Sequence, residues 1–173
     1  MRLLTRLTLT CLAGSIAAVA PTTSAQARRG GRTSFRDKTA GIQIFLPATW
    51  KSQMRSAFPG VLVTFKHQKH DARFLLAVKQ RKSDLTLLDM AQRNATVLGT
   101  RKWRVEKITT TLLGKLPAVE FIATNPKATL QIRQLYAFRQ QFAYVMTLIS
   151  PPTLAVRLRA DFLFVQKSAR FAR

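Results

Sequence analysis

The order of hydrophobic periodicities along the chain predicts an α+β protein, an α/β/α-type sandwich in which helices flank a mainly antiparallel sheet of about six to seven strands. Period-two runs, which are typical of strands, occupy most of the chain. Two runs with helical spacing divide and end them, so the order is three strands, a helix, four strands and a helix. Short polar connectors between successive strands favour antiparallel hairpins over parallel crossovers.

Three apolar alternations predict the first three strands. Each places a large apolar side chain at every second position, over residues 42–46, 61–65 and 74–78. The polar segment from Lys66 to Arg73 is predicted as a hairpin tip with its adjoining strand ends.

The period becomes helical at Thr86. Thr86 and Asp89 resemble a capping box with Asp in place of Glu, and Gly99 stands where a left-handed C-terminal cap would end the helix. The apolar positions of the predicted helix face are Leu87, Met90, Ala91 and Leu98.

Strand patterns then return for the second half of the chain. They are centred on residues 103–105, 119–123, 130–138 and 144–148, and Gly114, Asn125-Pro126 and Gln140-Gln141 mark turns between strands. After Pro151-Pro152 a second amphipathic helix is predicted, with its apolar face formed by Leu154, Leu158, Phe162 and Val165.

The first 27 residues are typical of a secretory signal peptide. Arg2 and Arg6 precede an uncharged apolar stretch over residues 7–20, which is too short to span a membrane. Ala25 and Ala27 form an A-x-A cleavage site, so we expect cleavage after Ala27 and a periplasmic or extracellular location. An uncleaved amphipathic anchor is the alternative.

The sequence after this segment divides into a basic flexible arm over residues 28–40 and one domain over residues 41–173. The whole chain carries 29 Lys and Arg against 7 Asp and Glu, a formal charge of +22. Cleavage would remove two arginines and Cys11, the single cysteine, and leave +20. The predicted mature chain therefore has no disulfide, Cys nucleophile or thiolate metal site, which fits a bacterial periplasm.

Several segments together resemble the PsbP-like domains. They are the strand, Pro and Trp of residues 41–50, the glycine turn of residues 113–118, and the strands at residues 136–138 and 144–147, followed by a terminal helix. The resemblance spans roughly residues 35–171. It implies an antiparallel sheet flanked by helices and used for binding, as in photosystem II accessory subunits, small bacterial envelope proteins and adaptors for secreted effectors, and it carries over no site residue.

The sequence contains no recognisable catalytic motif. His67, His70 and Asp71 could approach a metal if their turn curled, but neighbouring lysines repel a divalent cation, so no metal or other cofactor is predicted. The seven acidic residues are scattered, which argues against a paired-carboxylate hydrolase. We therefore expect a non-enzymatic protein; a hydrolase-like enzyme with an unrecognised site in a cleft beside the sheet is the alternative.

Basic residues cluster at positions predicted to lie outside the core. Such a surface attracts anions, so an anionic envelope component or an acidic protein is the predicted partner, whereas an exported location argues against nucleic acid. A merely solubilising surface is the alternative. Further basic residues lie on the last helix, and the predicted anion-binding residues are Arg28, Arg29, Arg32, Lys66, Lys69, Arg73, Lys79, Arg81, Lys82, Arg101, Lys102 and Arg104.

Overall fold

A computed structural model describes residues 25–29, 31–53, 60–81 and 84–172. Within these residues the chain forms twelve strands and two helices. In chain order they are β1 (Ala25–Arg29), β2 (Arg32–Asp37), β3 (Ile42–Pro47), β4 (Trp50–Gln53), β5 (Val61–His67), β6 (Arg73–Gln80), α1 (Leu87–Thr100), β7 (Arg104–Val105), β8 (Thr109–Leu113), β9 (Leu116–Thr124), β10 (Gln131–Arg139), β11 (Phe142–Ser150), α2 (Pro152–Ser168) and β12 (Arg170–Phe171).

The strands form two antiparallel sheets. Sheet A has the order β1-β2-β3-β12, so it joins the two ends of the described chain. Sheet B has eight strands in the order β4-β5-β6-β11-β10-β9-β7, and β8 also pairs with β9. The hairpins formed by β5 and β6, by β9 and β10, and by β10 and β11 confirm the predicted antiparallel connections.

The larger core lies between sheet B, sheet A and α2. Alternate residues of the strands face it, and most of the fully buried aromatic side chains of the described chain belong to it. Phe74 contacts Phe65, Trp50 and Phe162, and Phe65 contacts Phe35 of sheet A, with ring centroids 6.2–6.4 Å apart. Burial of these rings fixes which face of β5 and β6 points inward.

The smaller core lies on the opposite face of sheet B, beneath α1. Ala91 of α1 is fully buried against Phe121 and Tyr136, whose rings stack with centroids 6.1 Å apart. The helix packs on β7, β9 and β10. The helix therefore covers this face of sheet B only at the end formed by β7, β9 and β10.

The predicted sandwich differs from the structure in the layer that contains α2, because sheet A lies there as well. The two helices do lie on opposite faces of sheet B, as expected, but sheet A shares the α2 face, so the molecule is dominated by its sheets. The sequence prediction contained no strand for β1, β2, β4, β8 or β12. Four of these are short or lack an apolar alternation, and pairing with neighbouring strands determines their conformation.

The predicted flexible arm over residues 28–40 is also corrected. Residues Arg32–Asp37 form β2, in which Thr33 and Phe35 are buried. The Thr33 hydroxyl donates to the Trp50 carbonyl oxygen over 3.0 Å, and the Asp37 carboxylate accepts the Ala40 N–H over 2.7 Å. Short polar side chains thus satisfy buried backbone groups in a strand whose charged residues conceal the alternation.

The first helix begins as the sequence predicts. Asp89 N–H donates to the Thr86 hydroxyl oxygen and Thr86 N–H donates to the Asp89 carboxylate, which completes the capping box. Its end is different: Gly99 lies inside the last turn, and Lys102, with φ 62°, takes the left-handed conformation. The predicted glycine cap is therefore wrong.

The predicted signal peptide falls almost entirely outside the described residues. Only Ala25–Ala27 are described, and they belong to the backbone of β1, so cleavage after Ala27 would leave Arg28 and Arg29 of that strand. Neither described helix is long and apolar enough to cross a membrane.

Candidate anion-binding surface

The candidate site is the part of sheet B that α1 leaves uncovered. On β4, β5 and β6 the side chains facing away from the larger core are half-buried or exposed, apart from the buried Thr64. We call this surface the open face. Its members are Lys51, Gln53, Thr64, Lys66, Arg73, Leu75, Ala77 and Lys79.

Three cations stand side by side on the open face. Lys51 is paired directly with Lys66 across β4 and β5, and Lys66 is paired directly with Arg73 across β5 and β6. Paired residues of antiparallel strands have Cβ atoms about 4.5–5.5 Å apart. We call Lys51, Lys66 and Arg73 the cation row. Since Phe65 and Phe74, next to Lys66 and Arg73 in the chain, point into the core, the whole row points away from it.

The cation row has no acidic partner among the described residues. An ion pair joins Arg133 and Glu120 over 3.6 Å, and it does not involve the row. Lys51 and Lys66 are exposed and Arg73 is half-buried. Like charges that face each other directly destabilise a sheet, so the row is an unfavourable arrangement in the absence of a counter-charge.

A mostly polar row, interrupted by Leu75, follows the cation row on the same face. Gln53 pairs with Thr64, Thr64 with Leu75, Leu75 with Thr147 and Thr147 with Gln134. Towards α1 this row is internally bonded: the Gln134 amide donates to the Thr147 hydroxyl over 3.1 Å and accepts the Tyr136 hydroxyl over 2.5 Å. Towards the edge it leaves neutral hydrogen-bonding groups beside the cations.

Two more predicted cations lie at the opposite end of β6. Lys79 is half-buried and pairs with Ala143, and the Arg81 guanidinium lies over the Phe138 ring, 4.6 Å from its centroid. From Arg73 to Lys79 the strand rises about 20 Å, at about 3.3 Å for each residue. The open face therefore carries positive charge at both ends of β6.

The structure does not bring the other predicted residues to this face. Arg28 and Arg29 belong to β1, Arg32 lies in sheet A and Lys82 is outside the described residues. Lys69 lies in the loop between β5 and β6. Arg101 and Lys102 follow α1, and Arg104 lies in β7, at the other end of sheet B from β4.

Several arginine side chains pack against aromatic rings of the protein itself. In the described part of the chain, five guanidinium groups lie over rings at 4.6–5.8 Å from the centroid, a distance at which cation–π attraction operates. This contact holds the guanidinium against the molecule. The pairs are Arg32 with Phe164, Arg81 with Phe138, Arg133 with Phe162, Arg139 with Phe171 and Arg170 with Phe45.

Lys51 is the cation-row member that the sequence analysis missed. It follows Trp50, a buried residue, and precedes Ser52 in a four-residue strand, so the alternation is too short to be recognised as a strand. The signal that could have found it is the Trp50-Lys51 step itself, because a buried ring forces its neighbour in a strand to the opposite face.

The two histidines form a structural cluster at the end of β5. The His67 ring contacts Trp50 edge-on at 5.0 Å and stacks on His70 at 4.6 Å, and the Trp50 indole N–H donates to Asp161 of α2 over 2.8 Å. His67 Nδ1 accepts the backbone N–H groups of Lys69 and His70. That nitrogen is therefore occupied, and no group of three metal-ligating residues exists among the described residues.

Burial lowers the pKa of His67 below its usual value of 6.5. The neighbouring His70 lowers this pKa further, and Lys69 adds a smaller effect, whereas the negative charge of Asp161 raises it. The neutral ring, with Nδ1 as acceptor, is the form that the fold favours.

Solved structures share this arrangement of sheets and helices. Cyanobacterial PsbP (CyanoP) from Synechocystis matches with a TM-score of 0.62 and 14% sequence identity over 92% of this chain and 98% of that chain. The chain has the PsbP-like fold. This result confirms the predicted resemblance at the level of the fold, which is what identities this low can establish.

Two further structures extend the comparison of the PsbP-like fold. LpqN, involved in cell envelope biogenesis of Mycobacterium tuberculosis, matches with a TM-score of 0.58 and 11% identity over 87% of this chain and 91% of that chain. A protein from Bacteroides thetaiotaomicron matches with a TM-score of 0.56 and 9% identity over 81% of this chain and 48% of that chain. No family model and no curated protein sequence matches the chain.

Proposed function

We propose that this protein is exported to the cell envelope, has no enzymatic activity there, and binds an acidic partner or anionic surface through the open face of sheet B. The observation that carries the proposal is the cation row, in which Lys51, Lys66 and Arg73 stand opposite one another. A bound anion offsets the repulsion among the three cations, and this relief favours binding.

The charge of the whole chain supports the same proposal. A formal charge of +22 produces a positive field that accelerates encounters with anions, and physiological salt screens it over about 8 Å. Among the described residues the open face combines this field with three adjacent cations. The field attracts the partner, and the open face holds it.

Export is supported by the sequence of residues 1–27, with two early arginines and the Ala25-Gln26-Ala27 motif. The structural neighbour LpqN has a stated involvement in envelope biogenesis. Mass spectrometry of the natively expressed protein tests this part: we expect a mature chain beginning at Arg28 in the extracytoplasmic fraction. A bulk population that retains Met1 would contradict export by cleavage.

Co-sedimentation with vesicles tests the binding. We expect the protein to sediment with phosphatidylglycerol-containing vesicles but not with pure phosphatidylcholine vesicles, and the bound fraction to fall steeply as salt is raised. Equal sedimentation with both lipids would indicate apolar rather than electrostatic association. An acidic protein partner would instead leave the vesicles unbound and be recovered by affinity purification from the native envelope.

A further inference from the structure

We infer that the cation row is a binding site for a phosphomonoester group, the terminal phosphate of a ligand that carries close to two negative charges. This inference rests on the proposed function and adds the chemistry of the group bound. The residues that form the site are Lys51, Lys66 and Arg73, on three neighbouring strands.

The spacing of the row fits a single tetrahedral anion. Adjacent strands are about 4.8 Å apart, so the Cβ atoms of Lys51 and Arg73 lie about 10 Å apart with Lys66 between them. Lysine and arginine side chains are long enough for the three charged ends to converge over that span. A phosphomonoester presents three terminal oxygens, one for each cation.

The charge of the row favours a phosphomonoester over a carboxylate or a phosphodiester. Three cations face one another, and no acidic side chain pairs with them among the described residues. A carboxylate or a diester brings one negative charge, whereas a phosphomonoester brings about −1.5 to −2 at neutral pH. The Arg73 guanidinium can also donate two parallel N–H bonds to phosphate oxygens.

Neutral groups beside the row complete the site. Gln53 and Thr64 are directly paired with each other and lie two residues along their strands from Lys51 and Lys66, on the same face. Their amide and hydroxyl groups can donate hydrogen bonds to an ester oxygen. The fully buried ring of Phe65, which points into the core from between Thr64 and Lys66, holds this stretch of β5 in place.

The test compares phosphatidic acid, a phosphomonoester lipid, with phosphatidylglycerol, a phosphodiester lipid, in phosphatidylcholine vesicles of equal surface charge. We expect tighter binding to phosphatidic acid. The triple variant Lys51→Gln, Lys66→Gln, Arg73→Gln should lose that preference and bind phosphatidic acid on the order of 100-fold more weakly, because each cation near an anionic surface contributes about a fivefold change.

A matched triple variant controls for net charge. Lys107→Gln, Lys127→Gln, Arg159→Gln removes the same charge from exposed residues outside the open face, and it should keep the preference for phosphatidic acid. Thermal unfolding controls for folding: because repulsion within the row is relieved, the cation-row variant should melt no lower than the wild type. If it does melt lower, the single variant Lys66→Gln carries the binding test.

Three results would contradict the inference. No preference for phosphatidic acid over phosphatidylglycerol, or equal losses in the two triple variants, would overturn it while leaving the proposed function intact. No binding to either anionic vesicle, together with no binding of glycerol 3-phosphate, would overturn the inference and would leave only an acidic protein as the partner in the proposed function. Isothermal titration with glycerol 3-phosphate distinguishes the sources: saturable binding that the cation-row variant lacks means the phosphate group alone suffices, and binding to vesicles alone means the headgroup is recognised in a bilayer.

Discussion

The surroundings of His67 favour the neutral form of its ring. Its Nδ1 accepts two backbone N–H groups of the loop between β5 and β6, at 3.2 and 3.1 Å, and its ring is packed between Trp50 and His70. Protonation of Nδ1 would remove the acceptor from both N–H groups. The histidine therefore stabilises the loop that follows Lys66 only while the ring is neutral.

Stability should consequently depend on pH through His67. The pKa of His67 is lower in the folded chain than the ordinary 6.5. Just below pH 6.5, His67 is therefore protonated in the unfolded chain but still mostly neutral in the folded chain. The free energy of unfolding falls as the pH drops from 6.5 to the folded pKa. Urea unfolding above and below pH 6.5 measures this fall.

The variant His67→Asn offers an oxygen to the same two N–H groups and does not titrate, so this part of the fall should disappear. His70→Asn leaves the His67 acceptor in place and should retain most of it, because burial is the main cause of the lowered pKa. Identical pH profiles for His67→Asn and the wild type would contradict the role assigned to His67.

Two glycines should respond to the same substitution in opposite directions. Gly114 has φ 60°, and a Cβ there would lie 2.4 Å from the Ala169 carbonyl oxygen at the end of α2, so Gly114→Ala should destabilise by more than about 1 kcal/mol. Gly99 lies inside α1 with open space around it, and Gly99→Ala should stabilise by about 0.5–1 kcal/mol. Chemical denaturation measures both; a neutral Gly114→Ala would contradict the close approach.

At the residue scale the sequence predicted two members of the cation row and missed the third. Lys66 and Arg73 flank strands with clear apolar alternations, so their position at the hairpin was predictable. Their direct opposition was not, because it depends on the register of β5 on β6, which the turn between His67 and Ala72 sets. Lys51 required knowledge that β4 joins the edge of the sheet, which is a long-range pairing.

At the scale of elements, α2 holds sheet A and sheet B together. Its Phe162 ring is buried in the larger core beside Phe74, and its Asp161 accepts the Trp50 indole N–H. Ser168 donates a hydrogen bond to the Phe45 carbonyl oxygen of β3 over 3.2 Å. The helix therefore contributes to stability through one apolar face and a few directed bonds.

The variant Phe162→Ala should lower the free energy of unfolding by about 3–5 kcal/mol, because it removes a fully buried ring and leaves a cavity. Val156→Ala on the same helix is the control, since Val156 is 85% exposed and its removal should change little. Thermal melting of both variants measures the difference. Equal melting temperatures would contradict the placement of α2 in the core.

Elements with a strong period were predictable and edge elements were not. The helix ending at Thr100 and the long strands β9, β10 and β11 carry enough apolar positions to reveal their type. In β2, Arg32, Arg36 and Asp37 conceal the alternation of Thr33 and Phe35, so a strand was interpreted as an arm. Pairing with β3 determines its conformation, and pairing is a property of the folded chain.

In the molecule as a whole, the basic side chains fall into two groups, those that pack against the protein's own aromatic rings and those that do not. Several arginines lie over aromatic rings, where the guanidinium is held against its own fold. The cation row has no such ring and no acidic partner among the described residues. The proposal therefore distinguishes a local binding face from the general field of the chain, which no count of charges could do.

Lysine footprinting of the unmodified protein tests the central claim most directly. Amine acylation with and without phosphatidylglycerol-containing vesicles, read by mass spectrometry, reports which lysines the anionic surface covers. We predict that Lys51 and Lys66 lose reactivity on binding, whereas Lys107 and Lys127, which are exposed in the loops after β7 and β9, keep it. Uniform protection of all four lysines, or protection of Lys107 and Lys127 alone, would contradict binding through the open face.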